Sequence, residues 1–586
     1  MTYNEIQHLL DKLDATATAD SGAAVHTWAQ LTAHPDWPGL SAATRLAALD
    51  DAAAAYAGTG KVDQAVAIAQ QALAATASED PDRPYRIAML AQRVRERYET
   101  TSHASDLVWL VELSRAAVDG SAPGAPELAL RLTALGGALR LRHAVCGNLD
   151  DLDAAVRLFR QASEFAAAHH ADPAPHDNNL AVALSDRYER TGRTADLNDA
   201  VATARRAVDR APRGHADRSM YLTNLAVYLS DRYDRTGDLA DLDDATAVAA
   251  DALEDIDPAD PGLPRLHNVL AALHLDRYER FGRGSDLDLS LTSARAAVTG
   301  VSAGAPELPG YLNNLGNACR LRFEAALAAI DWHGSGDVAL NLEDLHGAVE
   351  AHRRAVKLAP PDSPDRPKFL TNLGNALVDS ALVLPAEGGG LDEAIHVLSD
   401  AITATETGSP HQAARMNNLA HALRLRFDHS GLPEDRDRAI NAFRASYAEG
   451  LATDLEAVLA AARNWQQWAA GRRAWLEMEE ACDAGLRAAA LLHRIQLIRD
   501  HQLAWLRAAD GLAVGAALAR SHTGDLPGAV TALEGGRALL LADALQRDRI
   551  DLARLAEREP WLATRYAAAA EKVTCADRVL RRAAHS

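Results

Sequence analysis

Residues 178–200 read NNLAVALSDRYERTGRTADLNDA, and residues 223–245 read TNLAVYLSDRYDRTGDLADLDDA. The second stretch repeats the first at an offset of 45 residues. Working outward, an Arg followed by an aromatic residue or His recurs at Arg97-Tyr98, Arg142-His143, Arg187-Tyr188, Arg232-Tyr233, Arg277-Tyr278 and Arg322-Phe323, each 45 residues after the last. The next unit carries Ser380 at this position, 58 residues on, and Arg426-Phe427 follows after 46. The 13 extra residues fall in an insertion at Ala325–Leu340. Self-similarity at a fixed period of this length marks an array in which each unit buries its apolar face on its neighbours.

Each unit reads as two helices. In the first, helix A, Leu180, Leu184 and Tyr188 are spaced by four and make one apolar face. It ends at Gly192, Gly237 or Gly282, since glycine readily takes the left-handed conformation that closes a helix. Asp186/Arg190, Asp231/Arg235 and Asp276/Arg280 read as exposed intrahelical pairs. Helix B opens on an acidic motif, as in Asp151-Leu152-Asp153, Asp196-Leu197-Asn198 and Asp241-Leu242-Asp243, where an Asp can cap free amides. The repeated Arg187, Arg232, Arg277, Arg322 and Arg426 read as structural, packed across the A–B interface with a partner carboxylate.

The expectation is an all-α chain, an α-solenoid of helix pairs. Eight long units cover 84–445, with the insertion at 325–340. N-terminal helices with one shorter pair occupy 1–83, further pairs occupy 446–545, and a helical tail occupies 546–586. Composition agrees. Of 586 residues 48% are hydrophobic but only 5% aromatic, an Ala- and Leu-rich, helix-forming alphabet. Four widely spaced cysteines without a CxxC motif speak against a disulfide framework or zinc ribbon and fit a reducing cytoplasm. The start carries no signal-peptide pattern, and no apolar run is long enough to span a bilayer. A formal charge of −21 makes nucleic acid and membrane poor partners, although the Asp-rich helix B starts account for part of it.

The small residue after Leu in helix A (Leu315-Gly316, Leu373-Gly374) and the alanine in helix B (Ala200, Ala245, Ala394, Ala439) resemble the tetratricopeptide (TPR) family. The units exceed the family's period of about 34 by roughly 11 residues. More narrowly, Leu312–Glu324 (LNNLGNACRLRFE) with the DLD-type helix B is similar to the TPR region of CHAT proteins, where a caspase-like cysteine protease follows the repeats. Leu533–Leu541 (LEGGRALLL) resembles the helix that precedes that protease. About 45 residues remain after it, with no strand pattern ahead of Cys575, so the protease domain is expected to be absent from this chain. The resemblance then implies either a fragment or a scaffold whose CHAT-type effector acts in cis or in trans.

Asn179, Asn224, Asn314, Asn372 and Asn418 occupy one position of helix A. In kinesin light chains, which these repeats resemble, that Asn holds the backbone of an extended peptide. An amide both donates and accepts, so it can grip a main chain without reading side chains. The alternative is bonding between neighbouring helices. Arg140, Arg320 and Arg424 lie further along helix A, where they either read acidic groups of a ligand or bridge to nearby Asp and Glu. Trp465 and Trp468 either anchor a partner or fill the core. Arg537 and Leu540, on the helix resembling the one before the protease, are expected at a partner interface.

Several apparent motifs carry no chemistry. Asp241–Asp244 (DLDD) looks like an acid motif and Asp150–Asp153 (DDLD) like a metal cluster, but both recur as helix B starts. His169, His170 and His176 lack metal-ligand spacing, His274 reads as a satisfied interface histidine, and Gly388–Gly390 lacks the Lys of a phosphate loop. No cofactor or metal is expected. The function expected is binding of a protein or peptide ligand, with regulation of an effector at the C-terminal end. Two alternatives are an enzyme with its site inside the superhelix, for which the insertion (Asp331, Trp332, His333) is the candidate, and an oligomerising structural scaffold.

Overall fold

The computed structural model describes residues 2–546, except 329–341, 385–389, 407, 496–508 and 510, together with Trp561 and Arg565. Every regular element among the described residues is a helix. The chain divides into two compact units, Met1–Val301 and Ser302–Ser586. In the first, α1 (Thr2–Thr16), α2 (Ser21–Ala33), α3 (Ala42–Gly58) and α4 (Val62–Ala75) precede five long pairs. These are α5 (Arg83–Thr101) with α6 (Ala104–Asp119), α7 (Leu128–Cys146) with α8 (Leu149–Ala168), α9 (Ala174–Thr191) with α10 (Thr194–Arg210), α11 (Arg218–Thr236) with α12 (Leu239–Asp255), and α13 (Leu263–Phe281) with α14 (Gly284–Thr299). The second unit pairs α15 (Leu308–Ala328) with α16 (Leu342–Leu358), α17 (Arg366–Val383) with α18 (Gly390–Thr403), α19 (Gln412–Ser430) with α20 (Pro433–Thr453), and α21 (Leu455–Gly471) with α22 (Trp475–Ile495). Then come α23 (Leu512–Thr523) and α24 (Leu526–Gln546). Each A helix packs on its own B helix, and successive A helices also touch, α7 with α9, α11 with α13, α17 with α19 and α19 with α21.

The A helices stop where the sequence says they do. Gly147, Gly192, Gly237, Gly282 and Gly431 sit at φ between 66° and 70°, and each donates its amide to the carbonyl four residues back at 2.7 Å. A Cβ is disfavoured in that conformation.

The start of helix B departs from expectation. Capping falls to a residue three positions before the acidic motif: Asn148 and Asp238 accept from the amides of Asp150 and Ala240 at 3.1 Å. The first Asp of the motif instead clamps the repeated Arg of helix A. Arg97 holds Asp106, Arg142 holds Asp151, Arg187 holds Asp196, Arg232 holds Asp241 and Arg426 holds Asp435, each through Nε and Nη2 to the two carboxylate oxygens. The Asp side chains are 4–8% exposed, so both partners are needed to offset their desolvation. The third residue of the motif reaches forward to the Arg of the next pair, as in Asp153–Arg187 at 2.8 Å and Asp243–Arg277 at 3.0 Å. One motif thus fixes a pair internally and staples it to its neighbour.

The clamp survives the insertion, because Arg322 grips Asp344 at 2.7 and 2.6 Å across 22 residues instead of nine. Ala325–Ala328 extend α15, and the rest of the insertion lies outside the described residues apart from its flanks. Where the Arg is replaced by Ser380, the matching acidic position before Leu391 is Gly390, so the two halves of the clamp are lost together.

The A–B interfaces show a second complementarity. The small residue of helix A faces one position of helix B. Where B carries Phe159, His352 or Leu398, A carries Gly136, Gly316 or Gly374, and a Cβ on those glycines would lie 2.9, 2.5 and 2.5 Å from the facing side chain. In three other pairs the matching positions are alanines, Ala181 with Ala204, Ala226 with Ala249 and Ala271 with Ala294, all buried, while Ala91 with Ser114 and Ala420 with Phe443 depart from the pattern. Close packing of this kind leaves no room for an added methylene.

Candidate functional site

Within the first unit α5 and α7, with Leu110, Ser114 and Ala117 of α6, Phe159 of α8 and Asn179 of α9, line a cavity of about 340 Å³. Its floor is small and apolar, with Ala88 and Ala91 from α5 and Ala134, Gly137 and Ala138 from α7. Its polar rim is Gln92, Arg95, Thr133, Arg140 and, from α9, Asn179. Two residues expected to line a groove, Asn179 and Arg140, therefore do meet at one concavity. Arg140 is also tied to Asp186 of the following pair at 2.9 Å.

The other asparagines divide by a rule. Asn224 donates Nδ2 to Oδ1 of Asn178 at 2.9 Å, and Asn372 donates likewise to Asn313 at 2.9 Å. Asn224 is 5% exposed, and its Oδ1 also accepts from Arg265 at 2.9 Å. Its amide is consumed between helices, so Asn224 is corrected from a ligand contact to an inter-repeat brace. Asn464 approaches Asn417 in the same way at 3.5 Å. Opposite Asn179 and Asn418 the preceding pair offers Thr133 and Thr371, and no amide pair forms there. Both asparagines are half-buried, whereas Asn314 on α15 follows Asn268 of the preceding pair and so falls with Asn224 under the same rule.

The arginine position follows a similar rule. Arg140 pairs with Asp186, and Arg320 pairs with its own Glu324 and with Asp379 of the next pair at 3.3 Å. Arg424 on α19 forms no ion pair among the described residues, and its buried Nε has no hydrogen-bond partner. Burial pulls its pKa below the ordinary guanidinium range, with Asp428 opposing. Conversely, Asp231 and Asp276 follow Ser185 and Ser230 instead of an Arg. The expected pairs with Arg235 and Arg280 do not form, and Asp186 turns to Arg140 instead of Arg190. Burial, reinforced by Glu189 and Asp234, pushes Asp231 up to about 7. Burial with Asp234 and Glu279 does the same to Asp276.

The tryptophans are corrected as partner anchors. Trp465 is 2% exposed and stacks on Phe443 with ring centroids 5.8 Å apart. Trp468 is 5% exposed and donates its indole N–H to Asp428 at 2.9 Å. Both are core, because large aromatics at helical spacing bury most area between pairs. Arg537 and Leu540 fall on α24, and their side chains lie outside the described residues. His274 does sit at an interface but is not satisfied: its Nδ1 is 3.6 Å from Asp286 and has no hydrogen bond. Crowding there leaves the Arg277–Asp286 clamp with a single 3.4 Å bond. His169 stacks on Phe165 and His176 meets Thr133, so the three histidines do not converge, and no group of ligating side chains among the described residues could hold a metal.

One breach of the repeat escapes sequence reasoning. Asp177 stands where Leu222, Leu312 and Leu370 stand in other pairs. It is fully buried, accepting from Ser163 Oγ at 2.9 Å and from Arg206 and Arg210. Alignment of that column alone would have exposed it.

No protein-family model and no curated protein sequence matches the chain. Solved structures do. A monomeric mutant of IFIT1 with Gppp-AAAA has a TM-score of 0.44 at 13% identity, covering 84% of this chain and 90% of that one. TPR-like repeats of a kinesin light chain from Podosopora anserina give 0.28 at 21% identity over 35% of this chain and 96% of that one. BtubC (BKLC) from P. vanneervenii gives 0.31 at 18% over 42% and 94%. The TPR-like helical solenoid rests on the chain's own helix pairing and repeat. No described helix is long and apolar enough to cross a membrane.

Proposed function

We propose that the A-helix face binds an extended segment of a protein or peptide, and that binding is relayed to an effector beyond the described helices, a CHAT-type protease by resemblance. The observation that carries the binding half is the cavity on α5, α7 and α9. Its lining includes the small residues Ala88, Ala91, Ala134, Gly137 and Ala138, and Asn179 and Arg140 add donors and an acceptor. Such a surface is suited to main-chain hydrogen bonds with loose side-chain selection. The effector half rests on the Leu533–Leu541 motif alone. The test is titration calorimetry with a peptide selected from a random nonapeptide pool. Changing Asn179 and Asn418 together to Ala is expected to weaken binding about tenfold while leaving the melting temperature in place, since lost hydrogen bonds to a bound chain are worth roughly 0.5–1.5 kcal/mol each. Equal affinity would remove the groove reading.

A further inference from the structure

The A helices carry a ladder of cation and carboxylate that is complete at two rungs, lacks the cation at Asp231 and Asp276, and lacks the carboxylate at Arg424. Arg140 on α7 finds Asp186 on α9, and Arg320 on α15 finds Asp379 on α17. In each case the Asp lies seven residues after the second Asn-ladder position of its helix: Asn179 and Asp186, Asn372 and Asp379. Arg424 occupies the same position on α19, three residues beyond His421 and six beyond Asn418. The next A helix is α21, whose ladder residue Asn464 meets Asn417 at 3.5 Å and so fixes the register. Seven residues on from Asn464 stands Gly471. The carboxylate that completes the other rungs is missing from the chain at this point.

Asp428 offsets part of the charge, but no carboxylate among the described residues forms an ion pair with Arg424. Asp428, one turn along α19, accepts the Trp468 indole N–H at 2.9 Å. Glu477 is held by Arg472, whose guanidinium also lies 3.7 Å from the Trp468 ring centroid. His421 is kept neutral, its pKa pushed down to about 4 by burial and by Arg424. Arg424 is thus a half-buried cation whose Nε lacks any hydrogen-bond partner, on the face that in the first unit lines the cavity. Leaving a guanidinium donor buried and unpaired is unfavourable, and an incoming carboxylate matches its fork better than any other group. A Cβ placed on Gly471 would meet nothing within 4 Å, so the space a carboxylate would occupy beside it is open.

We propose that Arg424, with Gly471 opposite, is a binding site for a carboxylate of the bound peptide, an Asp or Glu side chain that takes the place of the missing rung. The proposal rests on the groove reading above and adds to it the chemical class of one ligand residue.

The test passes a random nonapeptide pool, amidated at the C-terminus, over the full-length protein and sequences what is retained. Asp or Glu should be enriched at one position about tenfold, the size expected of a charge-assisted bond in a partly desolvated site. Arg424→Gln should abolish the enrichment. Gly471→Asp should abolish it as well, by supplying the carboxylate within the chain, and should raise the melting temperature. That second variant guards against loss of binding through misfolding. A pool with free C-termini, retained without Asp or Glu enrichment but dependent on Arg424, would place the peptide's terminal carboxylate there and overturn the side-chain assignment. Retention of the pool with no acidic preference, or a preference that persists in Arg424→Gln, overturns this inference and leaves the groove reading standing. Failure to retain either pool overturns both.

Discussion

Arg187 and Asp196 are nine residues apart in sequence and meet through two hydrogen bonds, Nε to Oδ2 at 3.0 Å and Nη2 to Oδ1 at 2.6 Å, while Nη1 of the same arginine reaches Asp153 of the preceding pair at 2.8 Å. One side chain therefore carries both the closure of its own pair and the bond to its neighbour. Arg187→Leu leaves Asp196, 7% exposed, without its cation, and should destabilise the unit by about 3 kcal/mol. Replacing both, Arg187→Leu with Asp196→Leu, should recover most of that loss, because burying two apolar groups avoids the desolvation of an orphan charge. Urea unfolding of the two variants beside the unaltered chain checks this, and a double variant as weak as the single would refute the clamp as described.

Gly316 faces His352 so closely that an added Cβ would lie 2.5 Å from the ring. Gly316→Ala should destabilise by about 2 kcal/mol through overpacking. Combined with His352→Ala it recreates the Ala181–Ala204 arrangement, and part of the loss should return. A double-mutant cycle with no coupling would count against the pairing rule.

His352 also sets an acid limit. It is fully buried with neither ring nitrogen bonded, and burial, then Arg320, hold its pKa down to about 3. Unfolded, it titrates near 6.5. Between those values the unfolded chain binds the extra proton, so stability is whole above pH 6.5 and falls below it by up to about 1.4 kcal/mol per pH unit. His352→Leu, which resembles the Gly374–Leu398 pair, should flatten this slope between pH 6 and 4. An unchanged slope would place the sensitivity elsewhere.

Asp231 and Asp276 behave in the opposite sense. Their carboxyls are raised to about 7 in the folded chain, chiefly by burial. The folded state holds the proton longer than the unfolded one, so the stabilisation is present at low pH and is lost as pH rises through about 7. Asp231→Asn with Asp276→Asn should raise the melting temperature at pH 8 and change it little below about pH 4, the unfolded carboxyl value. A gain of equal size at both values would show that the two groups are ionised throughout.

Much of the architecture is legible in the sequence, because the 45-residue recurrence, the glycine stops and the Arg-aromatic mark each follow from local chemistry. What each repeated polar residue bonds to is not. The asparagine column looks uniform, yet Asn224 is consumed by Asn178 and Asn179 is not, and the difference lies in whether the preceding pair offers Asn or Thr. Asp241 looks like a cap and is a clamp, because the true cap, Asp238, lies three residues before it. Trp465 and Trp468 read as either anchors or core and are core, since helical spacing alone does not tell which face of α21 is covered. Pairwise rules between adjacent repeats, rather than columns read singly, carry the missing information.

The measurement that bears most directly on the central claim is photocrosslinking of a retained nonapeptide carrying benzoylphenylalanine at successive positions. The account predicts crosslinks on the A helices, near Asn179 and Arg140 in the first unit or near Asn418 and Arg424 in the second. Crosslinks confined to the B helices would contradict it.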